Sequence, residues 1–84
     1  MEIRLKKQPQ KYLASVDANT REKLNRALEK IKELDGAIVC INPRENLFRL
    51  KISHYRIIFC YTGGEIIIVN TIDTRTNIKY RRYQ

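Results

Sequence analysis

Apolar positions along the chain follow two spacings, and the changes between them mark its elements. Residues 2–7 alternate apolar and charged, which predicts a short strand open to water on one face. Pro9 suits the first turn of a helix, and residues 9–16 read as that short helix. Asp17 is a good N-cap for a second one. In it Leu24, Ala27, Leu28, Ile31 and Leu34 recur at three and four residues, an amphipathic stripe ending near Gly36. Residues 37–42 are apolar and β-leaning until Pro43 stops them, which fits a short strand or a packed loop. Residues 46–52 and 55–62 alternate at strand period around Ser53-His54 and predict a hairpin. Thr62-Gly63-Gly64-Glu65 is a second tight turn, and residues 65–73 form a continuous apolar strand expected to be dry on both faces. Residues 74–84 are a polar, basic tail.

The order predicts an α+β domain over residues 1–84: an N-terminal strand, a helical hairpin, a three-stranded antiparallel meander and a basic C-terminal tail. Helices grouped before a meander cover one face of its sheet. Phe48, Leu50, Ile52, Tyr55, Ile57, Phe59, Ile66, Ile68 and Ile72 are expected on that covered face. A two-residue turn at Ser53-His54 sets Ile52 opposite Tyr55 and Lys51 opposite Arg56. Pairing Thr62 with Glu65 sets Arg56 opposite Thr71 and Ile58 opposite Val69. Arg49, Lys51 and Arg56 then share the uncovered face, with residues 71 and 73, and Arg75 emerges at its rim.

Charge gives that face its interest. The 84 residues carry a formal net charge of +8. Residues 37–84 hold eight Lys/Arg against three acids, +5 of that total. Like charges directly across a sheet cost a few tenths to about 1 kcal/mol. A fold has no need of Lys51 facing Arg56, and a bound anion relieves the repulsion. For a basic chain, nucleic-acid phosphate is the commonest large anion. His54 is the one histidine, and Cys40 and Cys60 lie far apart, so no metal-ligand spacing exists and neither metal nor other cofactor is expected. No apolar run approaches the ~18 residues of a membrane span. The chain opens directly into a strand pattern, so no membrane and a cytoplasmic location are the expectation.

The basic strand Phe48-Arg49-Leu50-Lys51-Ile52, the strand start Tyr55-Arg56-Ile57-Ile58-Phe59, the run Ile66-Ile67-Ile68-Val69 and the late residues Arg75 and Tyr80-Arg81 resemble the RelE/ParE superfamily of bacterial toxins. They are closest to its RelE-type messenger-RNA endonucleases. The resemblance implies a RelE-like fold and a toxin of a type II toxin–antitoxin system. It implies cleavage of translated messenger RNA in the ribosomal A site, without metal, by attack of the ribose 2′-hydroxyl on the adjacent phosphate. It implies the ribosome with its RNA, messenger RNA and a cognate antitoxin protein as partners.

By position in the resemblance, Arg49 and Lys51 are the basic pair, with Lys51 assisting deprotonation of the 2′-hydroxyl. Arg56 holds the scissile phosphate. Arg75 steadies the leaving 5′-oxygen or delivers a proton to it, and Tyr80 stacks on a base, a role open to Tyr83 as well. Arg81, Arg82, Tyr83 and His54 are further RNA contacts. Some relatives use a carboxylate base and a tail histidine, and this tail has no histidine. Lysine and arginine are both protonated near neutrality. Such a site therefore depends on transition-state electrostatics and on something else holding the 2′-hydroxyl in line.

Plainer roles exist for each residue. Arg49 and Lys51 are also what a wet strand face carries. Arg56 is also a structural partner for Asp73, diagonal to it in the expected register. Tyr80 and Tyr83 also suit packing over the sheet edge. Two functions compete with cleavage: a ParE-like, non-enzymatic inhibitor of DNA gyrase, and an inactive ribosome- or RNA-binding relative. Fold alone does not separate them.

Overall fold

The computed structural model describes residues 1–83, with side chains through residue 82. It is an α+β domain in which two helices cover one face of a five-stranded mixed sheet. The elements are β1 (Glu2–Leu5), α1 (Lys7–Ser15), α2 (Ala18–Lys32), β2 (Ile38–Asn42), β3 (Leu47–Ile52), β4 (Tyr55–Tyr61) and β5 (Ile66–Thr74), followed by a 3-10 turn over Tyr80–Tyr83. Sheet order is β1-β5-β4-β3-β2. β2 to β5 run antiparallel to their neighbours, and β1 lies parallel to β5. The sheet has five strands rather than the expected meander of three with a separate N-terminal strand. Residues 37–42 pair with β3 as a strand, and the chain's first strand closes the opposite edge.

α2 begins where Asp17 accepts a hydrogen bond from the Thr20 amide at 3.0 Å, satisfying one of the helix's free N–H groups. Its stripe of Leu24, Ala27, Leu28 and Ile31 is buried against Leu50, Ile57, Phe59, Ile67, Val69 and Ile72. Burial of a single such aliphatic side chain is worth roughly 1.5–3 kcal/mol. Tyr12, Leu13 and Val16 of α1 add a partly buried margin. Pro9 lies in the first turn of α1, where its missing N–H costs nothing, and it is buried.

β5 corrects the expected register. Tyr61 pairs with Ile67 and Phe59 with Val69, but Ile58 pairs with Thr71 and Arg56 with Asp73. One extra residue, Asn70, is inserted in β5 between these two registers. A bulge of this kind reverses which side chains face the core. Ile67 and Val69 therefore point at the helices before it and Ile72 after it, all at 0 % exposure. Ile66 and Ile68, expected in the core, face out at 39 % and 37 %. The strand is consequently wet on one face rather than dry on both.

The second face is not bare. Ile78, from the segment expected to be a polar tail, is buried against Leu47 and Ile58, with Ile41, Cys60 and Tyr80 at the margin. No helix among the described residues is long and apolar enough to cross a membrane.

Candidate functional site

The β3–β4 hairpin organises the site. Its two-residue turn holds Ser53 at φ +53°, the positive φ that tight hairpins require at their first central position. This turn sets Ile52 opposite Tyr55, Lys51 opposite Arg56 and Arg49 opposite Ile58, as the two-residue spacing predicts. Arg49, Lys51 and Arg56 accordingly share the face away from the helices. Lys51 is exposed and Arg49 half-buried. Among the described residues none of Arg49, Lys51, Arg56 and Arg75 forms an ion pair.

Arg56 departs from expectation in two ways. It is 7 % exposed, the one charged residue in the buried set. Its Nη1 donates to the carbonyls of Ser53 at 3.0 Å and Tyr55 at 2.8 Å, so the guanidinium braces its own turn. Asp73 stands directly opposite Arg56 rather than diagonal to it, because the pairing is already one residue out of the expected register on the turn side and the bulge at Asn70 adds a second. The Asp73 carboxylate is engaged elsewhere. Its Oδ1 accepts from the Thr74 amide at 2.8 Å and from Asn77 Nδ2 at 3.4 Å.

The chain then returns to the hairpin. The Arg75 amide donates to the His54 carbonyl at 2.8 Å, which fixes the start of Arg75's exposed side chain at the turn. His54 is exposed, with its ring packed on Tyr55 at 4.2 Å between centroids. The amides of Asn77 and Ile78 both donate to the Thr74 carbonyl at 3.1 Å, a tight turn that drives Ile78 into the second face. Two residues later the Tyr80 ring lies 6.0 Å from the Arg49 guanidinium carbon, within cation–π range. Arg49 Nε and the Tyr80 hydroxyl are both enclosed and have no partner among the described residues.

The candidates thus divide. Lys51, Arg56, His54 and Arg75 gather at the turn end of the hairpin. Arg49 lies one residue pair further along with Tyr80 against it, so the Tyr80 ring already has a cation for a neighbour. Arg81 and Arg82 are exposed. Arg82 lines a cleft of about 330 Å³ with Lys79, Asp73, Asn77 and Gln8. The stacking role considered for Tyr83 lies outside the described side chains. Two features escaped the sequence reading. One is Arg56's bonding to the turn carbonyls, for which the sequence carries no signal. The other is Ile78, which had one: it is the sole aliphatic residue of the tail. Among the described residues no group of three or more His, Cys, Asp or Glu is placed to hold a metal ion.

The two perturbed titrations lie off this cluster. Burial, followed by Asp73 and Tyr55, pushes the Tyr12 hydroxyl up. The Thr20 hydroxyl and amide hold the Asp17 carboxyl below its usual range. No protein-family model matches the chain, and no curated protein matches it.

Proposed function

We propose that the protein is a RelE-like toxin, a ribosome-dependent endoribonuclease that cuts translated messenger RNA in the A site. The observation that carries the reading is the arrangement at the hairpin turn. Lys51 faces Arg56 across the strands, and Arg75 is tied by its amide to His54. None of these cations forms an ion pair among the described residues, and Asp73, opposite Arg56, is bonded to Thr74 and Asn77 instead. Uncompensated like charges are held together by the backbone, and a phosphodiester is the anion that suits them.

In this reading the 2′-oxygen of one ribose attacks the adjacent phosphorus and gives up its proton to water, with Lys51 assisting. The bond to the 5′-oxygen breaks and that oxygen takes a proton from water, leaving a cyclic phosphate on one fragment and a 5′-hydroxyl on the other. Arg75, exposed beside the turn, neutralises the leaving oxygen in this reading. Arg56, buried and spread over two carbonyls, supports the turn and lends its charge to the phosphate from below. Arg49 and Tyr80 form the wall next to it. Lacking a group poised near neutrality, such a site is slow on free RNA, and alignment of the 2′-hydroxyl by the ribosome supplies the missing contribution.

Burial of Arg56 favours a second reading, a relative that binds ribosomal RNA without cutting. Expression with a reporter message and mapping of its 5′ ends separates the two. Cuts inside translated codons, lost in Lys51→Ala and Arg75→Ala, support cleavage. Intact messages with ribosome co-sedimentation support binding alone. Intact messages with growth arrest and DNA damage support gyrase inhibition. Both substituted side chains are exposed, so the variants keep the fold.

A further inference from the structure

Asp35-Gly36 is the one place in the chain where an aspartate or asparagine precedes glycine. It joins the end of α2 to β2, and both residues are exposed. The Gly36 amide donates to Asp35's own Oδ1 at 2.8 Å, so its nitrogen is held against the carboxyl group of the preceding side chain. Holding reacting groups at contact distance supplies much of what an intramolecular attack needs. The fold keeps glycine there: φ is +96°, and a Cβ would lie 3.1 Å from Leu50 Cδ1. With no side chain on Gly36, that nitrogen is unshielded.

Asp73 supplies the contrast. Its Oδ1 accepts from the Thr74 amide at the same 2.8 Å and also from Asn77. Thr74 is paired with Tyr55 inside the sheet, and both Asp73 and Thr74 are half-buried. A β-branched neighbour and a fixed strand obstruct the rotation that attack requires.

We propose that Asp35 is a self-modification site, which converts to an isoaspartyl linkage in the folded protein. The Gly36 nitrogen loses its proton and bonds to Asp35 Cγ. The carboxyl group, in its acid form, gives up its hydroxyl, which leaves with that proton as water, and a five-membered succinimide closes. Water then adds to one of the two ring carbonyls. Opening at Cγ restores aspartate. Opening at the α-carbonyl leaves the chain running through Cβ, with a free α-carboxylate. Composition is unchanged, but the backbone gains one atom. The addition falls between the Asp35 amide, which donates to the Lys30 carbonyl at 2.8 Å, and the Gly36 carbonyl, which accepts from the Ile38 amide at 2.9 Å. The end of α2 and the start of β2 then lose their fit. The new α-carboxylate is the group that a methyltransferase specific for isoaspartyl residues takes as substrate. The inference is independent of the nuclease reading.

The test ages the whole chain at physiological temperature and pH, folded and in urea. Peptide mapping with electron-transfer fragmentation distinguishes isoaspartate from aspartate at each position. A labelled methyl group, transferred from S-adenosylmethionine by an isoaspartyl methyltransferase, counts the sites independently. In the folded chain, isoaspartate is expected at 35 at least about tenfold faster than at 73, and no slower than at 35 in urea. The modified fraction should exchange its Ile38 amide faster than the parent. Asp35→Glu keeps the charge but lengthens the side chain past five-membered closure, and should abolish methyl uptake. Slower modification at 35 when folded than in urea makes the reaction a property of the dipeptide alone and overturns the proposal. Accumulation at 73 within about tenfold of that at 35 overturns it as well, as does methyl uptake that persists in Asp35→Glu.

Discussion

Gln8 and Ile72 are joined by two hydrogen bonds running in opposite directions. Gln8 Nε2 donates to the Ile72 carbonyl at 2.7 Å, and the Ile72 amide donates to Gln8 Oε1 at 2.9 Å. The carboxamide completes β5's edge with the donor and acceptor a neighbouring strand would present, where β1 has already ended at Leu5.

Gln8→Ala strands both backbone groups in a part-buried site, and each loses a partner that water replaces poorly. We expect a loss of about 1–3 kcal/mol in urea unfolding, with faster hydrogen exchange of the Ile72 amide. Unchanged exchange at Ile72 refutes the edge-closing role.

Leu34 occupies a position made for glycine. The Asp35 amide donates to the Lys30 carbonyl at 2.8 Å and the Leu34 amide to Ile31 at 2.9 Å, the paired bonds of a Schellman ending. Leu34 sits between them at φ +53° and is 42 % exposed. Leu34→Gly relieves left-handed strain of about 1 kcal/mol while giving up little burial, so the melting temperature rises. Gly36→Ala does the reverse: φ is +96°, and an added Cβ lies 3.1 Å from Leu50 Cδ1. A Leu34→Gly protein that melts lower than its parent contradicts this account of the helix end.

The same helix end shows what a linear pattern conveys. Leu24, Ala27, Leu28 and Ile31 share one helical face at a spacing of three and four, and all four are buried. Leu34 fits the spacing too but leaves the stripe, because its left-handed backbone ends the period. In β5 the run Ile66-Ile67-Ile68-Val69 is apolar throughout, so alternation carries no phase, and the bulge at Asn70 reverses whatever phase is assumed. In the site, period two and a two-residue turn suffice to put Arg49, Lys51 and Arg56 on one face. The approach of Tyr80 to Arg49 depends on how residues 74–80 fold back. That path follows from Ile78 finding Leu47 and Ile58, a long-range contact with no periodic trace.

Stability at the pH extremes has identifiable sources. Asp17's carboxyl is held low by Thr20, so its contribution is present above the ordinary carboxylate range and is lost as pH falls through the folded value. Tyr12's hydroxyl is pushed up, so its contribution is complete below the ordinary tyrosine range and is lost as pH rises through the folded value. Asp17→Asn keeps a capping oxygen and should flatten the acid limb of the melting-temperature profile. Tyr12→Phe should flatten the alkaline limb and leave the acid limb alone. A profile in which either variant changes the opposite limb reassigns these slopes.

Arg56 joins fold and site, and its two roles come apart by substitution. Nη1 bridges the carbonyls of Ser53 and Tyr55, so Arg56→Ala leaves two turn acceptors without a charged donor and costs about 1–3 kcal/mol. Arg56→Lys keeps a cation but loses the guanidinium whose Nη1 bridges both carbonyls, and should recover only part of that stability. Lys51→Ala removes a like charge opposite Arg56 and is expected to raise stability by a few tenths of a kcal/mol. The combination decides between brace and ligand. If Lys51→Ala stabilises the chain and weakens its binding to ribosomes or RNA, the hairpin holds opposed charges for an anion. If Lys51→Ala leaves both quantities unchanged while Arg56→Ala still unfolds the turn, the cations belong to the fold alone.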